Sequence, residues 1–347
     1  MTMYWVSEAK LAQFLGGKGG ESTYLPVSPN ALGWLEAGQA EASVEALAAA
    51  RTGQSPKGMF FPTAESVGRY GPAAEAATAV ETRPVVLMGL RACELRALKY
   101  LDKVFLGGDF QDPTYAARRE AMTLVSVDCA DCRETCCCTL VGGRPFATEG
   151  YDVNLTPMDG GFLADVATDR GRDWLGEQAA SLREAAAEQT ARRDELREEM
   201  TERVRAQNAE FTFAAADDKP PPLPNDDDAS WQAFAADCVE CAGCTNGCPT
   251  CHCFYLYDQS AGPEDFERVR TWDSCLLSSY HRMAGTVPHM KPTPRPRLRS
   301  RLANRVLHKF SYSPEQYGLL GCVGCGRCIE GCLGAIDIRR VVQELSR

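Results

Sequence analysis

Residues 238–254 read CVECAGCTNGCPTCHCF, with Cys238, Cys241, Cys244, Cys248, Cys251 and Cys253 crowded into one short stretch. The chain has 347 residues and 17 cysteines, gathered at 129–138, 238–253 and 322–332, with Cys93 and Cys275 alone. The N-terminal MTMYWVSEAKLAQFLGG carries acidic Glu8 and has no long apolar core, so it does not read as a secretory signal. It reads as a surface or capping amphipathic helix. Without a secretory signal a disulfide framework is not expected. Thiols clustered at short spacing point instead to metal.

The spacing says which metal chemistry. The first run is Cys238-x2-Cys241-x2-Cys244-x3-Cys248-Pro249, and it recurs as Cys322-x2-Cys325-x2-Cys328-x3-Cys332. This is the two-cluster bacterial ferredoxin spacing, in which three close thiolates grip one 4Fe–4S cube and the fourth reaches the other cube. One cube then takes Cys238, Cys241, Cys244 and Cys332. The other takes Cys322, Cys325, Cys328 and Cys248. Two intervening residues let the backbone curl around a cube and aim N–H groups at its sulfurs. Gly243, Gly324 and Gly326 would ease that close approach. Leu333 stands where the second run would usually have proline. Zinc is the competing reading, but zinc needs only four ligands in paired knuckles, and two runs of this form fit iron–sulfur better.

The rest of the chain divides by composition. PVVLMG at 84–89 reads as a buried strand, followed by a helix over RACELRALKYLDKVF. MTLVSVD at 122–128 reads as a second buried strand ending at Cys129. Both strands deliver a cysteine near their C-terminal edge, where open α/β sheets bind ligands. Residues 171–208 are rich in Ala, Glu and Arg and read as a long, mostly solvated helix with at most one break. AAADDKPPPLPNDDDAS at 214–230 has four prolines and five aspartates and reads as a linker. The expected architecture is an α/β (α+β) domain over 1–213, the linker 214–230, and a ferredoxin-like domain with two 4Fe–4S clusters over 231–347. The last contains a helical, basic insert.

The stretches GLRACELRALKYLDKVFLGGDFQDPTYAARRE, CADCRETCCC and GYDVNLT, with CPTCHCF, RTWDSC and GCVGCGRC further on, carry a resemblance. The chain is similar to the iron–sulfur β subunit of cytosolic NiFe sulfhydrogenases, and equally resembles the corresponding iron–sulfur subunit of anaerobic sulfite reductase. The resemblance covers about 80–340 and is loose before that. It implies a relay: a flavin subunit exchanges hydride with NAD(P)H, and single electrons pass through cubes to a partner holding NiFe or siroheme. The chain itself has no G-x-G-x-x-G after a strand, no Walker motif and no H-E-x-x-H, and the GGKGG run at 16–20 reads as a loop. No flavin or nicotinamide site is expected in this chain.

The resemblance also places Cys93, Cys129, Cys136 and Cys138 at motif positions, enough for a third 4Fe–4S cluster. Cys132 and Cys137 look like extras, since the family usually has an aromatic residue where Cys137 stands, and an exchange of ligands among Cys129, Cys132, Cys136 and Cys137 stays open. Cys251, Cys253 and Cys275 make only three thiols. They would need His252 or an outside ligand to form a site, or else they are buried thiols beside the ferredoxin core. KPTPRPRLRSRLANRVLHK at 291–309 has seven Lys or Arg and no acid. It offsets anionic thiolate clusters, docks an acidic partner, or forms a solvated basic face. DPTYAARR at 112–119 would order a loop near the third site.

The net charge of −10 argues against bulk nucleic-acid binding, and the basic stretch lacks interleaved aromatics. No apolar run is long enough to span a membrane. The sequence therefore reads as a cytoplasmic, non-catalytic electron-transfer subunit of a multisubunit oxidoreductase. A NAD(P)-linked NiFe hydrogenase comes first as partner, a sulfite reductase second, and a heterodisulfide-reductase-type bifurcating complex third. A zinc or iron–sulfur regulatory module is the reading from another class; with zinc it predicts colourless protein and salt-sensitive DNA binding. A self-sufficient reductase would need a flavin or substrate pocket that the sequence does not show.

Overall fold

The computed structural model describes residues 2–17, 22–36, 38–72, 82–176, 182–217, 219–280 and 293–346. In chain order its strands are β1 (Thr2–Ser7), β2 (Ser22–Ser28), β3 (Ala31–Trp34), β4 (Ala64–Tyr70), β5 (Val85–Leu90), β6 (Met122–Val127), β7 (Val153–Met158), β8 (Gly161–Val166), β9 (Arg183–Glu184), β10 (Phe254–Ser260) and β11 (Phe266–Trp272). Eight of them form one sheet in the order β3-β2-β5-β6-β7-β8-β1-β9. The neighbours β2, β5, β6 and β7 run parallel, and the flanking pairs are antiparallel.

Every residue of β5 is buried, because both faces of the sheet are covered. Val86 and Met88 pack with Leu11, Phe14, Leu47 and Trp174 on one face. Val85 and Leu87 pack on the other with Leu98, Tyr100 and Leu101 of the helix Ala92–Phe105. The strand period of two thus splits one apolar run between two cores.

Three expectations change. Thr2–Ser7 is a strand and not helix: Val6 is buried in the sheet core and the segment pairs with β8, so only Glu8–Gly17 is helical. Gly16 and Gly17 close that helix, and the rest of the GGKGG run lies outside the described residues. The stretch 171–208 is a short helix, Asp169–Leu175, then β9, then the helix Ala187–Gln207. That second helix is mostly solvated but turns Met200 and Val204 inward against Cys138.

The smaller sheet, β10-β11-β4, joins strands far apart in sequence. Asp112 caps the helix Pro113–Ala121, accepting from the Thr114 and Tyr115 N–H groups at 3.0 and 2.9 Å, and pairs with Arg270 of β11. Arg118 pairs with Glu65 of β4 at 2.6 Å. The DPTYAARR stretch therefore fastens the small sheet to the large one. Residues 214–230 are docked through Ala215, buried with Trp231, Val306 and Val341, and through the Asn225 carbonyl, which accepts from Trp231 Nε1 at 2.9 Å.

Candidate metal centres

The two ferredoxin runs share one backbone. On either side of the second cysteine of each run lies a left-handed residue: Glu240 (φ 53°) and Ala242 (φ 58°) around Cys241, Gly324 (φ 66°) and Gly326 (φ 75°) around Cys325. Each run then enters a one-turn helix, Gly243–Asn246 or Arg327–Glu330. Left-handed turns of this kind point successive N–H groups inward, a concavity suited to an anionic cluster. A non-glycine residue there costs about 1–2 kcal/mol, which Glu240 and Ala242 sustain.

The second run has no such latitude. A Cβ on Gly324 would meet the Cys138 Cα at 2.5 Å, and one on Gly326 would meet the Thr135 carbonyl at 2.3 Å. Gly243 instead abuts the Gly331 carbonyl, at 2.4 Å from an added Cβ. These glycines thus allow chain segments to approach each other, a packing role beyond the one read from the sequence.

Cys238, Cys241, Cys244 and Cys332 line one cavity, together with Cys328 and the apolar Leu276, Leu302, Val306, Ile338 and Val341. Cys248 is buried and lies electrostatically close to Cys322, Cys325 and Cys328. Burial raises the free thiols of Cys322, Cys325 and Cys328, the last to about 12. Such thiols ionise only beside a strong positive charge, which metal coordination supplies. Among the described residues no three His, Cys, Asp or Glu side chains converge as around a single metal ion.

The third cysteine set also comes together. Cys93, Cys129, Cys136 and Cys138 line one cavity with Cys132 and Cys325. Cys93 sits in the first turn of the helix after β5, and Cys129 lies two residues past β6. Arg91 ties these strand ends together, donating to the carbonyls of Val127, Asp128, Leu47 and Ala49 at 2.8–3.3 Å. The helix Ala187–Gln207 covers the site. Arg197 bonds Asp128 at 2.8 Å, while Gln207 and Asn208 donate to the Cys136 carbonyl at 2.6 and 2.8 Å. Cys132 donates to Gln207 Oε1 at 3.3 Å. Cys137 points elsewhere, beside Cys322 and Cys328.

Cys251, Cys253 and Cys275 line neither cavity. The Cys251 carbonyl accepts from Lys57 at 3.0 Å. The Cys253 carbonyl accepts from the Asp273 N–H at 3.0 Å, closing the base of the β10–β11 hairpin. The Cys275 thiol bonds Cys253, drawing its pKa down to about 6. His252 is packed among Tyr100, Phe105 and His308, and its Nδ1 donates to the Thr250 carbonyl at 3.1 Å. Burial lowers its pKa to about 4.

The basic stretch contributes residues whose individual roles the sequence did not single out. Residues 291 and 292 lie outside the described residues, but Arg301, Arg305 and Lys309 are buried, at 3%, 5% and 4% exposure. Their spacing of four places them on one face of the helix Leu298–Leu307 and the π-helical turn His308–Tyr312. Arg301 pairs with Glu240 at 2.7 Å. Arg305 donates to the Cys244 carbonyl at 3.2 Å, and Lys309 Nζ to Cys248 Sγ at 3.3 Å. The readable signal was that spacing of cations on an amphipathic helix without a single acid.

Two comparisons with known proteins match the chain. Residues 237–336 match the family model described as a 4Fe-4S dicluster domain. The chain is 29% identical over 268 residues to "Sulfhydrogenase 2 subunit beta" of Pyrococcus furiosus, covering 75% of this chain and 73% of the relative. No solved structure matches. The chain therefore carries a C-terminal ferredoxin-type 4Fe–4S domain on a mixed α/β fold and is similar to a sulfhydrogenase β subunit, findings that support an iron–sulfur electron-transfer subunit. No described helix is long and apolar enough to cross a membrane.

Proposed function

We propose that this chain is the electron-relay subunit of a cytoplasmic NAD(P)-linked NiFe hydrogenase of the sulfhydrogenase type. It would stand between the flavin-bearing partner and the one holding the catalytic metal. The similarity to a sulfhydrogenase β subunit is the observation that carries the choice of partner. Bound 4Fe–4S clusters supply one-electron storage and transfer.

In this reading Cys238, Cys241, Cys244 and Cys332 hold site one, and Cys322, Cys325, Cys328 and Cys248 hold site two. Cys93, Cys129, Cys136 and Cys138 hold site three. The cavity lined by the first four, and the one lined by the last four, support the assignment. Residues 1–213 serve as the α/β part that carries site three, and 231–347 as the ferredoxin part, joined by 214–230. Apolar side chains wall site one on its inner side while Cys241 stays exposed, and Arg91 holds the two strand ends of site three in place.

The test is affinity purification of the full chain from its native cells under anaerobic conditions. Co-purifying nickel with NAD(P)H-linked hydrogen evolution is expected. Co-purifying siroheme would replace the hydrogenase reading with sulfite reductase, and colourless, zinc-bearing protein would overturn the relay itself.

A further inference from the structure

Site two lies between the other two. One of its cysteines, Cys328, lines the cavity of site one, and another, Cys325, lines the cavity of site three. The three sites therefore form a row with site two in the middle.

The charges along this row are uneven. The ligand loops of the outer sites each contain an acid: Glu240 lies between Cys238 and Cys241, Glu94 follows Cys93, and Asp128 precedes Cys129. The loop Cys322–Cys328 contains none, and carries Arg327. Buried cations also meet at this loop. Arg327 and Arg51 lie near Cys325, but each is matched by a carboxylate, Glu94 and Glu330 respectively.

Arg305 and Lys309 are not matched. Among the described residues neither forms an ion pair, and Arg305 Nε has no partner. Lys309 Nζ donates to Cys248 Sγ at 3.3 Å, to Thr250 Oγ1 at 3.0 Å and to the Gly321 carbonyl at 3.0 Å. A buried charge without a carboxylate is strongly unfavourable, so these two cations need another anion. Lys57 is also buried, but it lies over the Trp272 ring at 3.8 Å and bonds the Cys251 carbonyl. Arg91, at site three, also lacks a carboxylate and leaves Nε unpartnered, but its two terminal nitrogens donate to four carbonyls and none to a sulfur.

We propose that Lys309 sets the highest reduction potential of the row at the middle site, so that it is the first to be reduced. This rests on the relay reading above. Four thiolates around a cube leave a net negative charge that grows by one on reduction, and a cation or N–H donor at a ligand sulfur favours the reduced state. Lys309 supplies both at Cys248. Arg305 donates to the Cys244 carbonyl and lines the site-one cavity beside Cys328, so its charge is shared between sites one and two and the selectivity rests with Lys309. The gating consequence is an electron held in the middle of the row until an outer site releases or accepts one.

The experiment is an anaerobic redox titration of the full chain followed by electron paramagnetic resonance, with iron and sulfide counted on the same samples. Lys309→Met, at unchanged iron, is expected to weaken reduction of the first-reduced cluster about tenfold, about 59 mV for one electron. Lys309→Arg keeps the charge and is expected to retain most of the potential. If the first-reduced signal does not move in Lys309→Met, the proposal is overturned.

Wild-type protein gives a second answer should the variant lose iron. With the middle site reduced first, the second electron must land on a neighbour, so magnetic coupling appears at the second electron. Two uncoupled signals persisting to two electrons would place the first reductions at the outer sites and overturn the proposal. Wild-type chain with fewer than about eight irons would instead refute the relay reading beneath it.

Discussion

Gly324 and Cys138 touch backbone to backbone: a Cβ on Gly324 would lie 2.5 Å from the Cys138 Cα. Cys137 N–H also donates to the Gly324 carbonyl at 2.8 Å. The ferredoxin loop and the cysteine loop of the α/β part are thus one packed unit, which brings Cys325 to the wall of the third cavity.

Gly324→Ala is expected to cost about 1–2 kcal/mol for the left-handed backbone alone, with the clash added, and to release iron from the third site first. Gly318 is the control. It also has a positive φ, 68°, but nothing lies within 4 Å of an added Cβ. Gly318→Ala should therefore show only the backbone cost. Thermal unfolding and iron content, measured side by side, check both. Equal effects in the two variants would remove the contact from the account.

Cys93→Ser should lower iron from about twelve to about eight atoms per chain, the loss of one cube. Cys275→Ser should leave the count unchanged, since Cys275 bonds Cys253 away from both cavities. Iron and acid-labile sulfide assays read the difference. An unchanged count in Cys93→Ser would take Cys93 out of the ligand set.

Asn208→Ala removes the 2.8 Å hydrogen bond to the Cys136 carbonyl. Gln207 still reaches that carbonyl, but Asn208 also donates to the Val204 carbonyl at 2.8 Å and accepts from Arg339 at 2.9 Å, so the stability loss should be about 1–3 kcal/mol. The larger effect should be kinetic. A chelator is expected to strip iron from the third site several-fold faster, while the ferredoxin clusters keep their wild-type rate.

His308 is half-buried against His252, and desolvation, followed by the charge of its neighbours His252 and Lys309, lowers its pKa to about 3. A histidine held neutral in the fold but free to protonate when unfolded, near pH 6.5, makes the unfolded chain bind more protons below that pH. Stability should therefore fall as pH drops from 6.5 towards 5, by up to about 1.4 kcal/mol per pH unit for each such histidine. His308→Phe should flatten the slope by about one proton. Denaturant midpoints at pH 5, 6 and 7 decide the matter, and a slope unchanged by the substitution would refute it.

The strand–helix unit from Val85 to Phe105 and the strand over 122–127 were legible because both are long, buried and followed by clear breaks in pattern. Thr2–Ser7 was not, because six residues beside a helical stretch carry too little periodicity to be told from its first turn. The role of the helix Ala187–Gln207 was hidden for a different reason. Its composition is that of a solvated helix, and Arg197, Met200, Val204, Gln207 and Asn208 on one side reveal what it covers.

The sequence by itself determined the two cysteine runs and the chemistry they are suited to, because the grip of three thiolates spaced by two residues is local. It also displayed the cations at 301, 305 and 309 on one helical face. Tertiary structure alone decided that Lys309 meets Cys248 across 61 residues, that Cys93 and Cys138 share a cavity, and that the Cys322 loop stands between two others. Those relations depend on how helices and loops pack at distances where sequence spacing carries no information. Within CVECAGCTNGCPTCHCF the division follows the same line. The first four cysteines announce their kind by spacing, whereas Cys251 and Cys253 acquire their places, at the Lys57 contact and the hairpin base, only from the fold.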